Sequence, residues 1–440
     1  MTGDLLLRGG TVILPSGRRE ADVLIQAGRV QAVQAGLEAP AGTPVIDATG
    51  RWVFPGILDS QVHFREPGNE HKEDLATGST AAVAGGVTTV FEMPNTSPPT
   101  TDTAAILDKV ERAKGRMRCD HAFFLGATAE NADVIAEHEN ATGCCGVKVF
   151  MGSSTGNLLV WDDPTLERVM RSGNKRIAIH SEDDPRLKER YEALPEGSPV
   201  TEHPNVRDVE TAVRSTTRLL NLVEKTGRRV HLLHVSTAEE VELVKERDLG
   251  DLVTIEVTPN HLFLHAPDCY LEHGSHAQMN PPVRALRHRD ALRQALVDGF
   301  FTCIGSDHAP HTLEEKAKPF PYSPSGIPSV GTTLPMLLTA VRDGWLSLED
   351  IPRLTTEGAC RVWSPRNKGC LEVGTDGDVT IVDPSITCEM PLEWLKSKVG
   401  WSPYAGTVLA GWPTTTIVRG DVTWDDHAPV GEPGGAPVAF

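Results

Sequence analysis

Residues 57–68 read I-L-D-S-Q-V-H-F-R-E-P-G, an apolar strand that ends in polar side chains and runs into a charged loop. This is the outline of a strand end that delivers metal-binding histidines. His63 occupies one position of such a pair, but the residue two places before it is Gln61. The stretch therefore predicts either a working metal site with one ligand changed or an enzyme that has lost its activity.

Short apolar strands that end in polar residues recur between residues 53 and 367, and helical stretches separate them. The amphipathic stretch 208–227 is an example of such a helix, and its glycine marks the helix end. The predicted strands are 53–63, 87–95, 121–127, 146–152, 176–183, 231–237, 253–262 and 303–311. Eight alternations favour a (β/α)8 barrel of the TIM type. A doubly wound sheet is the alternative, but no G-x-G-x-x-G follows the first strand.

Both chain ends have a different pattern, in which short strands are separated by turns that contain Gly and Pro. The pattern covers residues 1–52 and 368–440, and it predicts one small β-sandwich domain built from both ends. The barrel then comprises residues 53–367. The segment after Asp425 is rich in Pro and Gly and is expected to be extended or loosely ordered. The loop 153–163 is expected to be mobile.

The composition limits the partners and the compartment. The 440 residues carry a formal net charge of −18, which argues against nucleic acid or an anionic membrane as a partner. A small anionic substrate remains compatible, because a few local cations can hold it. No apolar run approaches the length of a membrane span and the first residues lack a signal-peptide pattern, so a cytoplasmic enzyme is expected. The eight cysteines have no C-x-x-C spacing, which favours free thiols.

Imidazole, lysine and carboxylate side chains stand at the ends of the predicted strands, and in a barrel these ends converge. The residues are His63, Lys148, His180, His234 and Asp307. Imidazole and carboxylate are ligands of zinc and related divalent ions. A lysine ammonium cannot coordinate a metal, so Lys148 would first react with carbon dioxide to form a carbamate that can bridge two metals. The alternative is a buried structural lysine in a salt bridge.

Asp307 and a separate polar group indicate the chemistry. A metal-bound water would attack a carbonyl, while Asp307 takes a proton and hands it to the leaving nitrogen. Arg65, Asn95 and His311 follow the first, second and eighth predicted strands and are not metal-like. Because arginine suits bidentate binding of a carboxylate, they indicate a substrate with a carboxylate next to the bond that is cut. The alternative is that they are surface salt-bridge or loop-stabilising residues.

Ordered motifs along nearly the whole chain resemble those of dihydroorotases in the amidohydrolase superfamily. The motifs are H-F-R-E-P-G, F-E-M-P-N-T, G-V-K-V-F-M-G-S-S-T-G, I-H-S-E-D, H-L-L-H-V-S-T, E-V-T-P-N-H-L, M-N-P-P-V-R and S-D-H-A-P-H-T-L-E-E-K. The resemblance implies reversible cyclisation of N-carbamoyl-L-aspartate to (S)-dihydroorotate in pyrimidine biosynthesis. Hydantoinases, allantoinases and non-catalytic hydantoinase-like proteins are the alternatives. Arg65 favours dihydroorotase, because the substrate of allantoinase lacks that carboxylate.

The resemblance also implies a role for each matching residue. The implied metal ligands are His63, carboxylated Lys148, His180, His234 and Asp307. The implied substrate contacts are Arg65, Asn95, Asn280 and His311. Gln61 departs from the H-x-H motif of the family, so one of the two metals would lack a nitrogen ligand. Since an amide oxygen is a poor zinc ligand, we expect one tightly bound Zn²⁺ and a second site that is weak or empty.

Two classes of function follow from these expectations. The first is a metal-dependent cyclic amidase, most simply a dihydroorotase. The second is a catalytically silent homologue that scaffolds a partner enzyme such as aspartate transcarbamoylase. Gln61 does not favour the silent homologue, because every other ligand position is filled. A homodimer or a higher homo-oligomer is expected in either case.

Overall fold

The structure is a computed structural model that describes residues 3–153 and 158–440. The loop 153–163 contains residues 154–157, which lie outside the described residues, so the mobility of this loop stays a prediction. In the described part of the chain, no helix is both long enough and apolar enough to cross a membrane.

The strands form three consecutive groups along the chain. The first group is β1 (Leu5–Leu14), β2 (Gly17–Gln26), β3 (Arg29–Gln34), β4 (Val45–Asp47) and β5 (Trp52–Pro55). The second group is β6 (Ile57–Val62), β7 (Val87–Glu92), β8 (Asp120–Gly126), β9 (Cys144–Phe150), β10 (Ile177–His180), β11 (Val230–Leu232), β12 (Val253–Val257) and β13 (Cys303–Ile304). The third group is β14 (Val379–Glu389), β15 (Val408–Val418), β16 (Asp421–Asp425) and β17 (Ala428–Pro429).

The second group forms a barrel in which each strand pairs in parallel with the next. The last pairing is short, since β12 and β13 share two residue pairs. The ring closes beyond β13, where Val62 forms a parallel bridge with His308. The His63 N–H also donates to the His308 carbonyl at 2.7 Å. The predicted (β/α)8 barrel is confirmed, and the carboxyl ends of its strands converge on one face.

The first and third groups form one mixed sheet, which confirms a small β-domain built from both chain ends. Its strands lie in the order β17-β16-β15-β14-β5-β1-β2-β3, and β4 pairs with β1. The antiparallel pairing of β5 with β14 joins the two ends. A separate apolar core lies in this sheet, and Val23, Val53 and Ile381 are among its buried members.

The first predicted barrel strand, 53–63, is wrong in its extent. Its first three residues belong to β5 and therefore to the sheet of the chain ends, beyond the predicted boundary at residue 52. The chain crosses between the two sheets at Gly56, whose N–H donates to the Asp378 carbonyl at 2.8 Å. A Cβ at Gly56 would collide with Thr88 and Asp378, so only glycine fits here. The residues before and after Gly56 are buried alike, so the apolar pattern of the sequence does not show where the chain passes from one sheet to the other.

Helices connect the barrel strands. They are α1 (Leu75–Ala84), α2 (Thr103–Ala113), α3 (Ile135–His138), α4 (Asp163–Arg171), α5 (Asp184–Glu192), α6 (His203–Val206), α7 (Val209–Thr226), α8 (Ala238–Arg247), α9 (Pro259–Phe263), α10 (Asp268–His273), α11 (Leu286–Val297), α12 (Leu313–Lys316), α13 (Thr333–Arg342), α14 (Asp350–Pro352) and α15 (Gly358–Trp363). Short 3₁₀ or π turns lie at Val200–Glu202, Gly250–Leu252, Gly274–Ala277, Arg353–Glu357 and Leu392–Trp394.

One predicted helix is confirmed, and several predicted strands are too long, among them 303–311, of which β13 covers only Cys303–Ile304. Helix α7 begins after Asp208, whose side chain accepts from the Thr211 N–H, and it ends at Gly227 with φ +68°. The predicted strand 253–262 instead stops at Val257 and gives way to α9. Thr258 caps that helix by accepting from a backbone N–H, so hydroxyl capping chemistry overrides the apolar pattern.

The C-terminal segment, residues 426–440, is extended, which is the first of the two expected forms, and it packs against the barrel. Its residues 435–438 run beside the start of β8, where the His121 N–H donates to the Ala436 carbonyl and the Val438 N–H donates to the His121 carbonyl. Val438 is buried in an apolar cluster at the base of the barrel. The Phe440 ring lies edge-on to Phe91, with 5.5 Å between ring centroids. A Pro/Gly-rich segment thus closes the end of the barrel opposite the strand ends.

We expect Val438→Ala to destabilise the protein more than Val430→Ala. Val438 is 5% exposed and Val430 is 39% exposed, so only the first change removes buried methyl groups and leaves a cavity. A loss of about 1–2 kcal/mol is expected for Val438→Ala and near zero for the control. Denaturant unfolding followed by tryptophan fluorescence measures both values. Equal stability of the two variants would show that the segment does not support the barrel base.

Candidate active site

A pocket lies at the carboxyl ends of the barrel strands and gathers nearly all of the predicted side chains. Its lining consists of Gln61, His63, Arg65, Asn95, Lys148, Phe150, His180, His234, Asn280, Asp307, Ala309, Ser325 and Gly326. Among the predicted site residues, His311 does not line the pocket. The strands of the barrel therefore bring the candidate metal ligands and the candidate anion-binding residues to one place.

On one side of the pocket, Gln61 and His63 of the first strand face Asp307 of the eighth. The Gln61 Nε2 donates to the Asp307 Oδ1 at 3.2 Å, and the His63 Nε2 lies 3.2 Å from the same oxygen. The His63 Nδ1 lies 2.7 Å from the Asn95 Oδ1. An amide oxygen only accepts, so Nδ1 carries the hydrogen and Nε2 presents a lone pair to Asp307. Two facing acceptors need a cation between them, either a proton or a metal ion.

On the opposite side, His180 and His234 lie close together. The His180 Nδ1 and the His234 Nε2 are 3.1 Å apart. Two ligands on one tetrahedral zinc stand roughly 3.3 Å apart when each bond is about 2.0 Å, so this spacing fits a shared ion. The His180 Nε2 lies 2.9 Å from Glu182, and Glu182 forms an ion pair with Arg207. This buried pair orients the His180 ring and was missed in the sequence, although Glu182 lies in the I-H-S-E-D motif.

Lys148 extends from β9 into the barrel interior, where it is fully buried. Its Nζ has no hydrogen-bond partner among the described residues, so the alternative of a lysine held in a salt bridge is not supported. Burial lowers the pKa of Lys148 to about 7, although the charges of Asp307 and Glu256 oppose this shift. At neutral pH a large share of the amine is therefore uncharged and able to react with carbon dioxide.

The donor set of the pocket fits a divalent metal. Besides Lys148 Nζ, the buried Gln61 Oε1 also has no hydrogen-bond partner among the described residues, and the His234 Nε2 faces the His180 Nδ1. Burial lowers the pKa of both His180 and His234, so their rings are neutral and can act as ligands. Gln61 uses its amide N–H on Asp307, which leaves one weakly coordinating oxygen where an imidazole would bind strongly.

Arg65 is the buried cation of the pocket, and it is held from behind. Its Nε donates to the Pro310 carbonyl at 3.1 Å, and its Nη2 lies 3.2 Å from the His311 Nε2. The His311 Nδ1 lies 3.2 Å from the Lys72 Nζ, and Lys72 pairs with Glu315 at 3.0 Å. His311 thus supports Arg65 instead of lining the pocket. Burial lowers the pKa of Arg65 to about 10, so its guanidinium stays charged at neutral pH.

Several lining residues had no signal in the sequence analysis. Phe150 lies under the Lys148 Nζ, with 4.4 Å between the nitrogen and the ring centroid. Ala309 and Gly326 form one wall, because the Ala309 N–H pairs with the strand-like segment that follows Gly326. Gly326 has φ +149°, and a Cβ there would collide with the Ala309 carbonyl, so glycine is required. Such a wall depends on tertiary contact and is not visible in a local motif.

Three non-glycine residues that line the pocket have positive φ values. Arg65 has φ +68°, His234 has φ +39° and Asp307 has φ +47°. Non-glycine residues rarely adopt this region, and they do so where the surrounding structure forces the conformation. Each of these three side chains lines the pocket, so the backbone strain accompanies their placement.

The chain is similar to known proteins over almost its whole length. Residues 52–423 match the model of the amidohydrolase family. Dihydroorotase from Methanosarcina acetivorans is 34% identical to it, over 98% of this chain and 94% of that protein. Dihydroorotase from a Geobacter species is 35% identical, over 96% and 99%. The solved structure of an L-hydantoinase (dihydropyrimidinase) from Arthrobacter aurescens matches with a TM-score of 0.93 at 28% identity and covers 100% of both chains.

We expect Gln61→His to add one bound metal ion per chain. The change replaces a weakly coordinating amide with an imidazole next to His63 and Asp307. Metal analysis after dialysis against zinc and then against buffer measures the stoichiometry. Gln61→Leu is the control, since it removes the amide and adds no ligand. An unchanged metal content in Gln61→His would mean that Gln61 does not limit the number of bound metals.

Proposed function

The chain belongs to the amidohydrolase family and is a hydrolase of cyclic amides, and we propose that it is a dihydroorotase. The proposed reaction is the reversible cyclisation of N-carbamoyl-L-aspartate to (S)-dihydroorotate in de novo pyrimidine biosynthesis. The names of the curated relatives support this proposal, because those at 34–35% identity are dihydroorotases.

The observation that carries the proposal is the buried Arg65 at the edge of the pocket. Dihydroorotate has a carboxylate on the ring carbon that adjoins the nitrogen not released in hydrolysis, and a buried guanidinium is suited to such a group. Asn95 and Asn280 line the same pocket and supply amide groups for the ring and the carboxylate. The contact of the Asn95 oxygen with the His63 Nδ1 holds this amide beside the candidate metal ligands.

The proposed metal would be zinc, with Lys148, His180 and His234 holding the tightly bound ion and His63 and Asp307 contributing to a weaker position. Bound zinc supplies Lewis acidity toward the scissile carbonyl and lowers the pKa of water. Asp307 accepts the proton of the attacking water and returns it to the ring nitrogen as the C–N bond breaks. The Gln61 N–H holds the Asp307 carboxylate in position for this transfer.

Hydantoin hydrolysis is the second candidate, because the solved structures with high similarity include hydantoinases. A hydantoin or dihydrouracil ring carries no carboxylate and would leave the Arg65 guanidinium without an anionic partner. Burying a cation in an occupied pocket without such a partner is costly, so these rings should be poorer substrates. A catalytically silent homologue is the third candidate and would turn over none of these rings.

An assay of the purified, zinc-loaded protein tests the proposal. Ring opening of (S)-dihydroorotate, and its formation from N-carbamoyl-L-aspartate, should be much faster than ring opening of dihydrouracil or hydantoin. Dihydrouracil is the matched comparison, because it is the same ring without the carboxylate. Faster turnover of the uncharged rings would contradict the proposed reaction and favour hydantoin hydrolysis. No turnover of any ring would support the silent homologue.

Arg65→Ala should lower kcat/KM for dihydroorotate by roughly 100-fold or more, the effect of losing about two charge-assisted hydrogen bonds. Activity on dihydrouracil, measured in the same variant, should change little. Lys72→Met is the control, because Lys72 contacts His311 behind Arg65 and does not line the pocket. A parallel loss on both rings in Arg65→Ala would argue against a carboxylate-binding role.

Lys148 should carry a carbamate in the active protein. In ¹³C-bicarbonate, the protein should show a carbamate carbon signal that Lys148→Arg abolishes and Lys316→Arg retains. Burial also lowers the pKa of Lys316 to about 7, but its Nζ donates to the carbonyls of Gln278, Pro324 and Gly326. The comparison therefore separates a reactive buried amine from a hydrogen-bonded one. Absence of the signal in the unmodified protein would leave Lys148 as a plain amine.

Assembly into a homodimer or higher oligomer, and association with aspartate transcarbamoylase, stay predictions of the family resemblance. Size-exclusion chromatography with light scattering, alone and with that enzyme added, measures both.

A further inference from the structure

Beneath the pocket, the barrel interior holds a second group of side chains that are able to ligate a metal. His231 of β11, Glu256 of β12 and Cys303 of β13 stand on three neighbouring strands, and none is exposed. The proposed hydrolysis uses none of them.

The spacing of the three ligand atoms fits one tetrahedral ion. The His231 Nε2 and the Glu256 Oε2 are 3.4 Å apart. The Cys303 Sγ lies 3.7 Å from the His231 Nε2 and 3.9 Å from the Glu256 Oε2. For zinc, with bonds of about 2.0 Å to nitrogen or oxygen and about 2.3 Å to sulfur, the corresponding separations are roughly 3.3 Å and roughly 3.5 Å.

The tautomer of His231 leaves the correct nitrogen free. The Thr254 hydroxyl donates to the Val230 carbonyl at 3.3 Å, so its oxygen accepts from the His231 Nδ1 at 2.8 Å. The Nδ1 therefore carries the hydrogen, and the Nε2 lone pair points toward Glu256 and Cys303. An outer hydrogen bond of this kind is typical of metal-binding histidines.

The absence of a side chain at Gly305 leaves space for the Glu256 carboxylate. A Cβ at Gly305 would collide with both oxygens and the carboxyl carbon of Glu256, so a glycine stands opposite the carboxylate. The Ser60 hydroxyl donates at 3.3 Å to Oε2, the oxygen that also faces His231 and Cys303. Ser60 therefore orients the carboxylate toward the other two candidate ligands.

We propose that His231, Glu256 and Cys303 form a buried zinc site inside the barrel, separate from the metal site of the pocket. Binding displaces the thiol proton of Cys303 and the carboxyl proton of Glu256, so Zn²⁺ enters and two protons leave. The cluster stays neutral after binding, so no net charge is buried.

The site would hold the strands that carry the ligands of the pocket. Strand β13 has two residues and pairs with β12 through two residue pairs, so hydrogen bonding alone fixes it weakly. Cys303 begins this strand, which leads to Asp307, and His231 lies in the strand that leads to His234. A metal bonded to β11, β12 and β13 would supply the cross-link that the short ladder lacks.

A second acidic group does not support the same inference. Asp120, Asp376 and Asp378 are also close enough to share an ion. The Lys368 Nζ already lies among them, at 2.5, 2.8 and 2.7 Å respectively. The ammonium occupies the position that a metal would need.

Cobalt substitution tests the site without interference from the pocket, since no cysteine lines the pocket within the described residues. The full-length protein is stripped of metal, loaded with Co²⁺ and examined for the near-ultraviolet absorption band of a cobalt–thiolate bond. The band should appear in the unmodified protein and in Asp307→Asn. It should disappear in Cys303→Ser and persist in Cys145→Ser, a matched buried cysteine of β9. Zinc content should fall by one ion per chain in Cys303→Ser and stay unchanged in Cys145→Ser.

X-ray absorption at the zinc edge of the unmodified protein provides a measurement that does not depend on how a variant folds. A sulfur neighbour at about 2.3 Å from zinc is expected. A zinc shell of nitrogen and oxygen alone would overturn the proposal, and so would a cobalt–thiolate band that survives in Cys303→Ser. Either result can be read whether or not the protein hydrolyses dihydroorotate.

Discussion

One backbone contact, the hydrogen bond from the His63 N–H to the His308 carbonyl, closes the ring of barrel strands. Without it the first strand would be an open edge, and its side chains would not reach those that follow the eighth. Closure brings Gln61 and His63 against Asp307, and it brings Arg65 against Pro310 and His311. Both halves of the proposed chemistry, the metal ligands and the anion-binding arginine, depend on this seam.

The polar groups on the two sides of the pocket have different kinds of partner. On the side of His180, the Glu182 carboxylate lies 2.9 Å from the outer ring nitrogen and pairs with Arg207, and neutral nitrogens face inward. On the side of Asp307, the carboxylate faces a lone pair of His63 and the amide N–H of Gln61. The amide provides a neutral donor where a second imidazole would add a strong ligand. Gln61 therefore positions the Asp307 carboxylate through its N–H at the place where the family resemblance implies a second imidazole.

The barrel and most of the pocket lining could be predicted from the sequence because both leave local signals. A polar residue at the end of an apolar strand indicates a possible functional site. Only a few folds bring the ends of several consecutive strands together, and the barrel is one of them. The wrong predictions concern features that tertiary contacts determine. Gly56 divides one apolar run between two sheets, and a capping hydroxyl turns the end of another predicted strand into a helix. His311 matches its motif yet lies behind Arg65, because a motif gives residue type and not the direction of the side chain.

The C-terminal segment has a consequence for the order in which the protein is built. Ala436 and Val438 pair with the start of β8, a strand that is synthesised much earlier, and β14 must pair with β5. A nascent chain that carries every residue of the pocket still lacks the segment that covers the apolar base of its barrel. During translation that surface is exposed to water and to other chains, so the barrel depends for its last contacts on residues that arrive after the site is complete.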